Sequence, residues 1–371
     1  MLFKEIIGQD DIKNRLISET KAGRISHAQL FCGAPGIGKL PLALAYARYL
    51  LCNHPGEEDS CGTCHSCVMV NKLAHPDLHF VFPVVKKAIS DDYIKEWRQC
   101  LLKNPYFSFD DWLDYLDAKN AQPIIYARES DELIKRLSLK SFEGGYKVTI
   151  IWLPEKMNEE ASNKLLKLIE EPPLKTIFLL VSDEPEKILP TILSRTQQLT
   201  IHRVDHQSIS GMLQQRYSLS SDDAERIAHL SNGNVTAAIK QAVNDESGDS
   251  QMFFDLFVNL MRLSYQRKIR EMKLWSEQLA AMGRERQKRF LEYALRMIRE
   301  SFIYNLHLPD LNYMTQREEQ FVSRFSPYVN ERNVRGIAEE LDSALNDIGR
   351  NVNGKIVFFD FSLKMIMLLK N

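Results

Sequence analysis

The 371-residue sequence lacks a bias of charge: 48 basic and 49 acidic side chains leave a net charge of -1. No broad field therefore draws the whole chain to nucleic acid, and any such contact has to be local or indirect. Long apolar runs are missing too; none approaches the roughly 18 residues of a membrane span. The opening stretch, Met1 to Ile7, meets charged residues at once and has no apolar segment of a secretory leader. A cytoplasmic protein is expected. Cysteine is sparse, six in all, but four fall within sixteen residues. In a reducing compartment such crowding favours a metal site over disulfides. The hydrophobic fraction of 44% supplies a core, and the length suits two or three domains.

What is present begins with a helix-forming stretch in which Ile12 and Leu16 lie four apart. Ala28-Gln29-Leu30-Phe31-Cys32 reads as a short buried strand, residues 33–38 as a glycine-rich turn, and Pro41 to Leu51 as a helix with proline in its first turn. Strand, glycine loop and helix open an α/β nucleotide-binding unit. Asp91 to Leu102 is expected to be helical. The aromatics Tyr106, Phe107, Phe109, Trp112 and Tyr115 are read as packing an insertion in preference to forming a binding surface. Val148 to Leu153 and Ile177 to Val181 have the continuous apolar character of strands covered on both faces. Asn158 to Glu171 is a helix stopped by Pro172-Pro173. The alternation predicts a mostly parallel sheet with helices on both sides. Residues 206–243 hold two or three short helices, broken at Asn232-Gly233-Asn234. From about 250 the pattern is long helices. The expected organisation is an α/β P-loop domain over 1–204 with a zinc module at about 52–67, a small helical lid domain over 205–246, and an all-α C-terminal domain over 247–371.

Gly33-Ala34-Pro35-Gly36-Ile37-Gly38-Lys39-Leu40 fits the phosphate-loop pattern up to its last position. Gly33, Gly36 and Gly38 let backbone N–H groups curl around phosphate, and Lys39 adds a point charge. The next residue should carry a hydroxyl for Mg²⁺, yet Leu40 has none. The acidic pair expected at the end of a later strand is replaced by Trp152-Leu153, and Glu155 is the only acid left, three residues along. Without metal anchors or a base, hydrolysis is not expected. Binding of nucleotide without turnover stays open.

Cys52, Cys61, Cys64 and Cys67 are spaced C-x8-C-x2-C-x2-C. Four thiolates close a tetrahedral structural zinc site with no open position. An iron–sulfur cluster and free thiols are the alternatives. His54, His65 and His75 lie nearby, but four cysteines suffice. Cys32 and Cys100 stand apart and read as buried thiols. Arg284, Arg286, Lys288 and Arg289 read as a solvated helix face ahead of a DNA contact.

Several segments together resemble the bacterial clamp-loader AAA+ family. They are Ile7-Gly8-Gln9, His27-Ala28, the phosphate loop, the cysteine cluster, Ala161 to Pro173 with its Glu170-Glu171-Pro172-Pro173 end, and Ile192-Leu193-Ser194-Arg195. Thr196 departs from the family, which commonly has cysteine there. Thr236, in Gly233-Asn234-Val235-Thr236, stands where active relatives carry a sensor arginine. The degenerate ATP site resembles the delta-prime branch of DNA polymerase III, not the motor subunits tau and gamma. The resemblance implies a subunit that joins tau/gamma and delta subunits in a hetero-pentameric ring. Through that ring it would help load the beta sliding clamp onto primed DNA, as part of a DNA-directed DNA polymerase holoenzyme at the nucleoid. It implies that the helical C-terminal region forms a collar with other subunits. It also implies that Arg195 is an arginine finger acting in trans, a device worth about 10³–10⁵ in rate. Two rival readings are an active AAA+ ATPase and a zinc-dependent nucleic-acid-binding module without a clamp loader.

Overall fold

The computed structural model describes residues 1–85, 88–116, 122–142, 145–243, 249–308 and 311–369. The chain divides into two compact units, Met1–Val243 and Asn244–Asn371.

The first unit is built on five parallel strands in the order β2-β3-β4-β1-β5. They are β1 (Ala28–Cys32), β2 (Leu78–Val81), β3 (Lys147–Trp152), β4 (Thr176–Ser182) and β5 (Gln197–Thr200). Every residue of β1, β3 and β4 is buried, as continuous apolar runs demand of strands covered on both sides. Alternation then sorts their side chains. Phe31, Ile150, Leu179 and Val181 enter one core cluster. Leu30, Ile151, Phe178 and Leu180 enter the cluster on the opposite face. The register Leu30↔Leu180 and Ile150↔Leu179 keeps these faces aligned across the sheet.

The helices α1 (Asp10–Lys21), α2 (Lys39–Leu51), α3 (His65–Asn71), α4 (Ile94–Lys103), α5 (Phe109–Tyr115), α6 (Ala127–Ser138), α7 (Glu159–Glu170) and α8 (Pro190–Leu193) connect the strands. All residues of α2 are buried, consistent with a sequence apolar on every side. The Asn158 side chain caps α7 by accepting from the Ala161 N–H at 2.8 Å, and Pro172-Pro173 follow its end. The aromatics of 106–115 pack inward: Trp112 is fully buried and its indole N–H donates to the Pro83 carbonyl at 2.8 Å.

Three helices complete this unit: α9 (His206–Tyr217), α10 (Ser221–Ser231) and α11 (Val235–Ala242). Ile209, Leu213, Ala228 and Val235 share a small core with Ile7 and Tyr106 from the α/β part. Asn232 in the left-handed region ends α10, and Asn234 caps α11.

The second unit contains, among the described residues, only helices: α12 (Asp249–Gln266), α13 (Ile269–Ala280), α14 (Arg284–Asn305), α15 (Gln316–Phe325), α16 (Val334–Gly349) and α17 (Gly354–Leu368). Phe257, Trp275, Phe290 and Phe358 form its core. In the apolar run 356–361, Phe358 and Phe361 are buried and Ile356 is exposed. Among the described residues no helix is long and apolar enough to cross a membrane.

Candidate nucleotide and metal sites

The loop between β1 and α2 has the backbone of a phosphate cradle. Gly38 (φ 91°) and Gly36 (φ 77°) occupy the left-handed region that favours glycine. Its polar groups, however, serve one another. The Lys39 ammonium donates to the carbonyls of Gly33 and Ala34, each at 2.5 Å. It pairs with the Asp183 carboxylate at 2.7 Å, with only 3% of the lysine side chain exposed. Asp183 directly follows β4, so the parallel strands deliver it to the same edge of the sheet as the loop.

The helical module closes over the same loop. The Thr236 N–H donates to the Gly36 carbonyl at 3.1 Å. A Cβ on Gly36 would collide with the Asn234 amide, and one on Gly38 would lie 2.9 Å from the Tyr106 ring. Lys240 of α11 reaches Asp111 at 2.8 Å and the Ser108 hydroxyl at 3.1 Å. Burial pushes the Tyr106 phenol up to about 12, and its oxygen accepts the Ile7 N–H at 3.1 Å.

Where metal-binding groups would stand, apolar ones pack. Leu40, Trp152 and Leu153 all join the core cluster. The Trp152 ring lies 5.1 Å from both Trp97 and Phe107 and 6.2 Å from Phe109. Glu155 turns away to accept the N–H groups of Asp183 at 2.9 Å and Glu184 at 3.3 Å. Burial raises its pKa, so this carboxyl is shielded, and it secures the turn after β4. The arrangement presents neither a hydroxyl at position 40 nor a carboxylate at 152 or 153 for Mg²⁺.

Arg195 lies between α8 and β5, 42% exposed. Its guanidinium pairs with Glu170, at the end of α7, at 2.8 Å and donates to the Thr191 carbonyl at 3.1 Å. Two sequence segments that carry the family resemblance are thereby joined in one surface contact.

The four clustered cysteines converge. Their sulfurs all lie within 4.8 Å of one another. Three of the pairs, Cys52–Cys61, Cys52–Cys64 and Cys61–Cys67, stand at 3.5, 4.0 and 3.9 Å. A tetrahedral ion with metal–sulfur bonds of about 2.3 Å requires sulfurs about 3.8 Å apart, so the tetrad fits. Backbone amides aim at the sulfurs: Cys61 N–H to Cys52 at 3.3 Å, Cys64 N–H to Cys61 and Cys67 N–H to Cys64, both at 3.4 Å. The amides of Thr63 and Cys64 draw the Cys61 thiol down to about 6, while burial pushes Cys52 up. The four residues can hold a metal ion. Cys32 and Cys100 are buried elsewhere, as their isolation in sequence implies.

Sequence reasoning passed over Asp183, Asn234 and Tyr106 as partners of the loop. Only the position of Asp183, just past a buried strand, hinted at its place; nothing local marks the other two.

A five-stranded parallel sheet, a phosphate loop after β1 and a helical module closing on that loop define an AAA+ type of P-loop protein whose metal-binding groups have been replaced. The family described as DNA polymerase III, delta subunit, matches residues 8–205, and the chain belongs to that family. It is 29% identical over 260 residues to DNA polymerase III subunit delta' of Bacillus subtilis, covering 70% of this chain and 66% of that protein. It is 29% identical over 225 residues to the Escherichia coli subunit delta', covering 61% and 57%. Identity to subunit tau/gamma of Haemophilus influenzae is 26% over 269 residues, covering 70% of this chain and 33% of that protein. The matched region thus spans less than two thirds of each relative's length.

Proposed function

We propose that this chain is a non-hydrolysing, delta-prime-type subunit of a bacterial replicative clamp loader. In this reading it assembles with tau/gamma motor subunits and a delta subunit in a five-membered ring. That ring loads the beta sliding clamp onto primed DNA, in the cytoplasm at the nucleoid. The α/β region to 204 and the helical lid to 246 act as one non-hydrolysing stator, and the helices from 247 join the collar. The observation that carries the reading is Lys39. Its ammonium is engaged by Gly33, Ala34 and Asp183, while Leu40 and Trp152 are core residues. Hydrolysis requires that lysine and a metal on the phosphates. The relatives named delta' support the same reading.

Arg195 is proposed to complete the ATP site of a neighbouring motor subunit. Its exposure supports this, and Glu170 would hold it until a phosphate competes. A guanidinium is always charged and bridges phosphate oxygens. The ion at Cys52, Cys61, Cys64 and Cys67 is proposed to be zinc, in a purely structural role; zinc would tie the end of α2 to the start of α3.

DNA-stimulated ATP turnover of reconstituted motor and delta subunits tests the reading. Adding this chain should raise turnover, and this chain alone should be inert. Arg195→Ala should assemble but slow the motor site it serves by roughly 10³-fold or more. Turnover by the isolated chain would overturn the non-hydrolysing reading. A variant that assembles and matches wild type would reduce Arg195 to a surface ion pair with Glu170.

A further inference from the structure

The cysteine tetrad grows from the end of a buried helix. Cys52 is the C-terminal cap of α2, where unpaired carbonyls concentrate partial negative charge. Four thiolates around a divalent cation carry a net charge of about -2. Such a charge beside a helix C-terminus is costly unless a cation offsets it.

A buried cation stands there. Arg48, one turn before Cys52 on α2, is only 3% exposed. Its guanidinium donates to the Gly62 carbonyl at 3.3 Å, in the knuckle between Cys61 and Cys64. A Cβ on Gly62 would lie 3.3 Å from the same nitrogen, so the knuckle's backbone and the guanidinium are in close contact. Among the described residues Arg48 forms no salt bridge with a carboxylate, and its Nε is buried without a partner. A buried guanidinium lacking an acid has to be balanced by other negative charge. The cysteine sulfurs, on the loop that the guanidinium holds, can supply such charge.

We propose that Arg48 is the counter-charge of the cysteine metal centre, a positioning residue that holds the Gly62 knuckle and offsets the excess charge of the tetrathiolate. The proposal rests on the metal reading given above. It makes α2 a rod with a cation at each end: Lys39 turned to the phosphate loop and Arg48 turned to the sulfurs.

The test uses the full chain and two metal probes, zinc and cobalt(II), each titrated against a chromophoric chelator. Arg48→Gln keeps an N–H donor for Gly62 but removes the charge, and Arg48→Lys keeps the charge. Arg48→Gln should weaken the affinity for both metals by about 10–100-fold, the usual effect of losing an outer-shell partner. Its far-ultraviolet circular dichroism should stay that of wild type. Arg48→Lys should recover part of the lost affinity. The cobalt form of the glutamine variant should retain the absorption of tetrahedral tetrathiolate, because the ligands are unchanged. Wild-type affinity in a folded Arg48→Gln would overturn the proposal. If Arg48→Gln does not fold, Arg48→Lys decides: a folded lysine variant that binds either metal more than about tenfold more weakly than wild type would overturn the proposal, and affinity within that range would sustain it. A wild-type chain that binds neither metal would sink the metal reading itself, an outcome distinct from either result for Arg48.

Discussion

The two ends of α2 have had opposite fates. At the N-terminal end, the glycine loop has its polar groups turned on one another. Lys39 has two carbonyls and a carboxylate, Gly36 is bonded to Thr236 of the helical module, and Trp152 is surrounded by aromatics. At the C-terminal end, four sulfurs face one another and a buried guanidinium holds the backbone between two of them. The first end is internally balanced; the second is a set of donors that a cation would complete. A surviving motif is therefore judged by where its polar groups go. Glycines and a lysine persist in the loop because the turn and its ion pair still need them.

The comparison can be broken most forcefully at the cysteine end. Metal removal by a chelator, or Cys64→Ser, should raise amide hydrogen exchange across residues 52–71 by roughly 100-fold or more, since structural zinc contributes strongly to local folding. Exchange across 249–369 should not change. A loss of helix signal from the whole chain would mean that the metal supports far more than its own loop.

At the loop end the effects should be those of packing. Trp152→Ala removes a ring that is 5% exposed and should cost about 3–5 kcal/mol in thermal or denaturant unfolding of the first unit. A negligible cost would show the aromatic cluster to be loose, with room for a ligand. Lys39→Met should be milder, about 1–3 kcal/mol, because Asp183 is partly solvated and can regain water. In an active phosphate loop the same change abolishes turnover; here it should leave the reconstituted complex's ATP turnover unchanged. A drop in turnover with assembly intact would return Lys39 to a role in nucleotide chemistry.

Much of the framework is legible along the chain. β1, β3 and β4 announce themselves as apolar runs between turn residues, and Ala28–Cys32 matches its expected limits. The two outer strands do not. β5 is Gln-Gln-Leu-Thr with one buried residue, Leu199, and β2 is only four residues long. At β5 the edge is wet, so the apolar signal fades; β2, with three of its four residues buried, is too short to give a run, and in both strands pairing with a neighbour decides. The helix Ala127–Ser138 likewise lacks a capping side chain, and its place depends on packing against α7. The cysteine site was readable because its ligands lie within sixteen residues and two short turns bring them together.

By itself the sequence determined which chemistry was available: glycines for a tight loop, no oxygen at Leu40, no carboxylate at Trp152 or Leu153, and four thiols at metal spacing. Those are properties of side chains and near neighbours, and spacing alone conveys them. Tertiary structure decided which groups met. Asp183 comes to Lys39 from 144 positions away, Thr236 to Gly36 from 200, and Glu170 to Arg195 from the end of another helix. Parallel strands gather distant turns at one edge of a sheet, and the pairing of buried charges there depends on the whole fold.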